Sequence, residues 1–262
     1  MPKLNPKEDD ELSFQPTSSD IATDDDQNMS GGSIDMTPVR RMFHFKRATD
    51  LLPPPLGNSY RTIQTGDKQA RSIVEEWVTS SLTGCVIASN NRHKTRSALL
   101  LYQGKAVGCI YTTKTMPLTQ PTEDAIKLVV RDLEFPNSIV KIYPLHESIV
   151  LPMSALFLGY PIFRTDDFDA ASYVDYITGW LKNREQTACL AINLPQSSAT
   201  CLCLIYQGMF TGALYVEDQE LIRDQKFVME LLRNEPDANV EASILPPELT
   251  SSEQYGFDIL ED

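Results

Sequence analysis

The chain has 262 residues and a formal charge of -13, from 23 Lys and Arg against 36 Asp and Glu. Such acidity repels phosphate backbones, so general nucleic-acid binding is not expected. Hydrophobic residues make up 42%, enough for a buried core, and no apolar run reaches the roughly 18 residues that a membrane span needs.

The charge is uneven along the chain. Residues 1–36 hold nine acids and two lysines, and residues 235–262 hold eight acids with no Lys or Arg. The middle is nearly neutral. Residues 1–58 are predicted to be a disordered acidic tail and Pro-rich linker, because so polar a segment buries too little apolar surface to offset chain ordering. The start, MPKLNPKEDDELSF, has no apolar core of a signal peptide. Basic and aromatic residues alternate over Pro38 to Arg47, as in a segment that touches a membrane surface or an acidic partner, or in a linker or edge strand clamped by the acidic tail. Pro53, Pro54 and Pro55 then predict an extended spacer.

A first helix is predicted from Asp67 to Thr79, with Ala70, Ile73, Val74 and Trp77 at helical spacing and Asp67 as N-cap. Strands follow at Gly84–Ser89, Ala98–Tyr102 and Ala106–Tyr111. The pair Gln103-Gly104 sits where a tight hairpin turn needs positive φ. A second helix over Thr122–Leu133 and a strand from Ile139 complete the unit. The apolar stretch Glu147–Pro161, broken by Pro152, is expected to pack two such units together.

The pattern then returns. A helix is predicted over Phe168–Leu181, capped by Asp166 or Asp167. Strands follow at Ala188–Asn193, Leu202–Tyr206 and Phe210–Val216. A helix over Leu221–Leu232 and a strand from Val240 close the second unit. At a constant offset of 104, Tyr102, Gln103, Gly104, Gly108 and Tyr111 match Tyr206, Gln207, Gly208, Gly212 and Tyr215. The two tryptophans, Trp77 and Trp180, align with a one-residue gap. Pro136, Val140 and Leu145 match Pro236, Val240 and Leu245 at offset 100. These matches predict duplication and an α+β fold of two tandem α-β-β-β-α-β repeats with antiparallel, hairpin-rich sheets. Repeat one is placed at 59–160, repeat two at 161–250, and an acidic-hydrophobic C-terminal tail at 251–262.

Leu82-Thr83-Gly84 after a helix, then Leu99-Leu-Leu-Tyr-Gln-Gly-Lys-Ala-Val-Gly108, resembles the PATAN domain, first named from the N-terminal part of PatA-type bacterial response regulators. Leu204-Ile-Tyr-Gln-Gly-Met-Phe-Thr-Gly212 carries the likeness in the second copy. Ala188 departs from it where the first copy has Gly84, and Gly108 and Gly212 stand where the family usually has Ala or Ser. The resemblance implies a non-catalytic regulatory or protein-interaction module of bacterial signalling. It names no ligand.

The side chains offer little chemistry. His44, His93 and His146 lie outside the repeat pattern. Cys85, Cys109, Cys189, Cys201 and Cys203 fall in strand-like runs, which fits reduced core thiols in a cytoplasmic protein. Neither GxxxxGK[ST] nor GxGxxG occurs. Neighbouring acids on a helix point about 100° apart. Glu75–Glu76 and Glu123–Asp124 are therefore expected on solvated faces. No catalytic, cofactor-binding or metal-binding residue is assigned. Gly104, Gly108, Gly208 and Gly212 are assigned as structural turn residues. Gln103, Gln207, Tyr255, Phe257, Ile259 and Leu260 are candidates for protein contact. The reading is a cytoplasmic adaptor for a protein partner. Two alternatives remain: a ligand or nucleotide sensor with a pocket lined by Tyr102, Tyr111, Tyr206 and Tyr215, and a roadblock-like regulator of a small GTPase.

Overall fold

The computed structural model describes residues 61–66, 70–113, 122–162, 168–252 and 255–260. The tail and linker over 1–58, Asp67, Asp166 and Asp167 lie outside them. The first half runs β1 (Arg61–Gln64), α1 (Ala70–Thr79), β2 (Gly84–Asn90), β3 (Thr95–Tyr102), β4 (Lys105–Thr113), α2 (Thr122–Glu134) and β5 (Ile139–Pro144). Then comes α3 (Glu147–Leu158). The second half runs β6 (Tyr160–Ile162), α4 (Ala170–Asn183), β7 (Thr187–Leu194), β8 (Ala199–Tyr206), β9 (Met209–Tyr215), β10 (Glu220–Ile222), α5 (Gln225–Asn234), β11 (Asn239–Leu245) and α6 (Pro247–Thr250).

The fold class is α+β, with two antiparallel sheets. Their strand orders are β1-β5-β2-β3-β4 and β10-β9-β8-β7-β11-β6. Each half opens with a short strand that no periodicity marks. β1 pairs with β5, and β6 pairs with β11. All of β6 belongs to the second sheet, so the expected boundary between 160 and 161 cuts a strand. The helix expected from Leu221 also begins later. Glu220–Ile222 pairs with β9 as β10, and α5 starts at Gln225 because Asp224 caps it by accepting from the Lys226 amide at 2.9 Å. The cap of α4 is Asp169, whose Oδ1 accepts from the Ser172 amide at 2.7 Å.

Two layers of helix flank each sheet. On the outer faces, α1 and α2 pack with the first sheet around Ile73, Trp77, Leu99, Leu101 and Val129. Tyr173, Ile177, Leu181, Cys201 and Val228 hold α4 and α5 on the second. Between the sheets lies α3, which packs against β3 and β4 of one and β7, β8 and β11 of the other. A helix in contact on all sides must be apolar all round. Every residue of α3 from Ile149 to Phe157 is buried. Pro152 is accommodated within the helix, and Ser154 satisfies its hydroxyl by donating to Leu151 O at 2.6 Å. The described residues contain no helix long and apolar enough to cross a membrane.

Backbone details recur 104 residues apart. Gln103 (φ 50°) and Gly104 (φ 83°) form the two-residue β3–β4 turn; Gln207 (φ 48°) and Gly208 (φ 74°) form the β8–β9 turn. Thr83 Oγ1 accepts from the Gln103 amide at 3.0 Å, and Thr187 Oγ1 from the Gln207 amide at 3.2 Å. Register breaks fall between Leu100 and Leu101 and between Leu204 and Ile205. Leu82 donates to Trp77 O, and Gln186 to Leu181 O, both at 3.0 Å. That last pair corrects the tryptophan alignment. The position matching buried Trp77 is Leu181, whereas Trp180 sits one residue earlier, half-buried under the Arg184 guanidinium at 4.5 Å.

Gly108 and Gly212, grouped above with the turn glycines, are strand residues of β4 and β9. Side-chain crowding explains them. A Cβ on Gly108 would lie 2.5 Å from Phe157 of α3, and one on Gly212 would lie 2.9 Å from Leu221 of β10.

Candidate interaction site

The chain's own C-terminal segment, 255–260, makes an extended contact with the first half. It crosses from the second half to the first and lies along the start of β4. Ala106 donates to Phe257 O at 2.9 Å, and Phe257 donates back to Ala106 O at 2.8 Å, forming one antiparallel bridge. Tyr255, 3% exposed, hydrogen-bonds the Ser154 hydroxyl of α3 and meets Tyr102 edge-on at 5.9 Å. Burial pushes the Tyr255 phenol well above its ordinary range. Ile259, 5% exposed, joins the core beneath α1 and α2, and Phe257 packs on that core. Lys105 reaches Asp258 at 3.4 Å.

Magnitudes rank these contacts. Burying an aliphatic or aromatic side chain is worth roughly 1.5–3 kcal/mol. A net hydrogen bond is worth about 0.5–1.5 kcal/mol, and an exposed ion pair about 0–1 kcal/mol. The apolar anchors Tyr255 and Ile259 therefore hold the segment, while the bridge and Lys105–Asp258 set its register. Tyr255, Phe257 and Ile259, named above as candidates for protein contact, are thus seated on the chain's own first half. Leu260 remains 38% exposed.

Beside this segment a cavity of about 540 Å³ opens between Val74 of α1, Ile126 and Val130 of α2, and Phe257, Ile259 and Leu260. Arg71, Lys127 and Arg131 stand around it, with Glu123, Glu134 and Asp258. Arg71 is paired with Glu75 at 3.1 Å and Lys127 with Glu123 at 3.0 Å, both one helical turn apart and exposed. Arg61 pairs with Glu76. Glu75, Glu76 and Glu123 thus carry surface ion pairs, as expected of solvated faces.

A second polar cluster joins the two hairpin tips. Tyr206 donates to Glu147 Oε1 at 2.8 Å, and Tyr102 interacts with the same carboxylate at the start of α3. The exposed Gln103 and Gln207 amides donate to their neighbouring tyrosine hydroxyls at 3.2 and 3.3 Å. Burial, then the bond to Glu147, pushes the Tyr206 phenol up to about 12. The four tyrosines suggested for a ligand pocket do not meet. Tyr102 and Tyr206 lie on the α3 side. Tyr111 faces α2 and donates to buried Asp132 at 2.9 Å, and Tyr215 packs edge-on against Phe227. Strand alternation separates them: Tyr111 pairs with Ser97, five residues before Tyr102, so the two point to opposite faces.

Comparison with family models, curated proteins and solved structures returns no match.

The remaining reactive groups serve the fold. All five cysteines are free and buried, and burial pushes the Cys85 thiol up to about 12. Cys201 and Cys203 share one face of β8 within the second core. His93 stacks on Phe135 at 4.3 Å, and His146 caps α3 by accepting from the Ser148 amide. The Glu235 carboxylate accepts from the Gln196 and Ser197 amides in the β7–β8 turn. The same turn of the first half is held by Asn90, whose Oδ1 accepts from the Arg92 and His93 amides. No group of three or more His, Cys, Asp or Glu among the described residues has metal-holding geometry.

Proposed function

We propose that the chain is a non-catalytic regulatory adaptor, built from a duplicated PATAN-like module, that binds other proteins. One observation carries this: the first half holds an extended segment by a backbone bridge plus apolar anchors, the mode by which sheet edges take peptides. Duplication is supported by the turns, threonine caps and register breaks that recur at offset 104. Five buried free thiols support a reducing compartment, hence the cytoplasm. The acidic termini add solubility and charge-selected contacts.

The test is affinity capture with the full chain, identification of what is retained, and reconstitution of the purified pair by sedimentation. A stoichiometric complex is the expected outcome. A chain that forms no complex with any retained protein, but turns over a small molecule, would overturn the reading.

A further inference from the structure

We propose that the groove along β4, α1 and α2 is a docking site for an extended partner segment of the form Gly-aromatic-acid-aliphatic. The chain's own Gly256-Phe257-Asp258-Ile259 fills it in cis, so the partner must displace it. The proposal rests on the adaptor reading and adds the partner's chemistry and the competition that regulates it.

Each position of the motif has a physical reason. Gly256 has φ 86°, and a Cβ there would stand 3.0 Å from Lys105 Cβ and 3.1 Å from Ala106 O, so a residue with a side chain is disfavoured. The aromatic residue supplies the backbone bridge to Ala106 and covers the core. The acid meets Lys105, which is itself only partly exposed. The aliphatic residue inserts beside Val74 and Ile126. Leu260, the last described residue of the segment, is 38% exposed, and the cavity of about 540 Å³ beside it runs between α1 and α2.

The second half shows why the first is the selective one. Matching Lys105-Ala106 at offset 104 are Met209 and Phe210. Met209 is 62% exposed and offers no cation to an acidic segment. β10 pairs only with Ala213–Tyr215 of β9, so the missing cation at Met209 is what separates the two halves at this position.

A labelled peptide of residues 251–260 is titrated into the full wild-type chain and into full-chain F257S/I259S, with circular dichroism confirming that the variant is folded. Because the tethered copy competes at high effective concentration, the variant is expected to bind at least about 10-fold tighter than wild type. K105E added to the variant is expected to weaken binding, and a D258K peptide to restore it. A peptide carrying Gly256→Val is expected not to bind. Equal affinity for wild type and variant, no rescue by charge exchange, or release of the segment only into a second copy of this chain, seen as a concentration-dependent dimer, would each overturn the proposal.

If F257S/I259S does not fold, hydrogen exchange at the Ala106 amide decides. K105E and D258K are each expected to speed it, and K105E/D258K to restore protection; unrestored protection overturns the proposal. Loss of this competition leaves a reconstituted partner complex standing. Conversely, absence of any partner complex removes the adaptor reading while peptide competition persists.

Discussion

The turn glycines Gly104 and Gly208 combine a positive φ with close approach to helix backbone. At Gly104 a Cβ would sit 3.0 Å from both Cα and O of Val78, and φ is 83°. Gly104→Ala is therefore expected to cost about 1–2 kcal/mol from the left-handed backbone alone, more where α1 cannot retreat. The check is the urea midpoint at unchanged slope. Gly179 is the control. It lies exposed on α4 with nothing within 4 Å of its Cβ position. Gly179→Ala is expected to stabilise by about 0.5–1 kcal/mol through helix propensity, and a loss there would mean the helix is not as described. Ionisation gives a second residue-scale test. Cys85, ordinarily 9.0, and Tyr206, ordinarily 10.0, are both pushed up to about 12. Their protons leave the unfolded chain first, so these groups stabilise the fold fully below pH 9. That stability is expected to drain as pH rises from 9 towards 12. The tyrosinate absorbance that Tyr206→Phe removes should then appear only together with loss of far-ultraviolet ellipticity. If that difference signal appears near pH 10 with ellipticity intact, the part-buried Tyr206–Glu147 bond is contradicted.

At the scale of the element, Gly108 and Phe157 are the instructive pair. Gly108→Ala places a methyl carbon into the Phe157 ring, an overpacking expected to cost about 1–3 kcal/mol. Phe157→Leu should relieve part of it. A double-mutant cycle in urea is expected to show coupling above about 0.5 kcal/mol, and strict additivity would mean that β4 and α3 do not touch there. The same pair shows what was legible in the chain. The hairpin Tyr-Gln-Gly and the helix periodicities mark α1, α2, β2 to β4 and their counterparts, because local turn chemistry and burial agree there. The reason for Gly108 is a helix 49 residues away, which no local pattern encodes. β1, β6 and β10 are too short for alternation to register. The acidic, aromatic composition of the C-terminus marked Tyr255, Phe257 and Ile259 as binders. Their occupant, the first half, is invisible without the crossing of the chain.

For the whole molecule, the placement of α3 decides how the halves respond to stress. Each sheet buries its inner face against one shared helix, so neither half has a complete core without it. Unfolding the first sheet strips α3 of contacts that the second sheet needs. Met153 and Leu156 are both buried within 2%. Leu156→Ala, expected to cost about 2–5 kcal/mol, should destabilise both halves together. Trp77 in the first core and Trp180 on α4 are the only tryptophans, one per half. In Trp180→Phe the fluorescence reports the first half; in Trp77→Phe it reports the second. Within each variant, fluorescence and far-ultraviolet ellipticity are expected to share one midpoint in urea, as a single cooperative unit requires. Adding Leu156→Ala should shift both probes equally. Fluorescence that departs from ellipticity in either variant, or a Leu156→Ala shift confined to one tryptophan, would show two halves merely tethered, with α3 belonging to one of them.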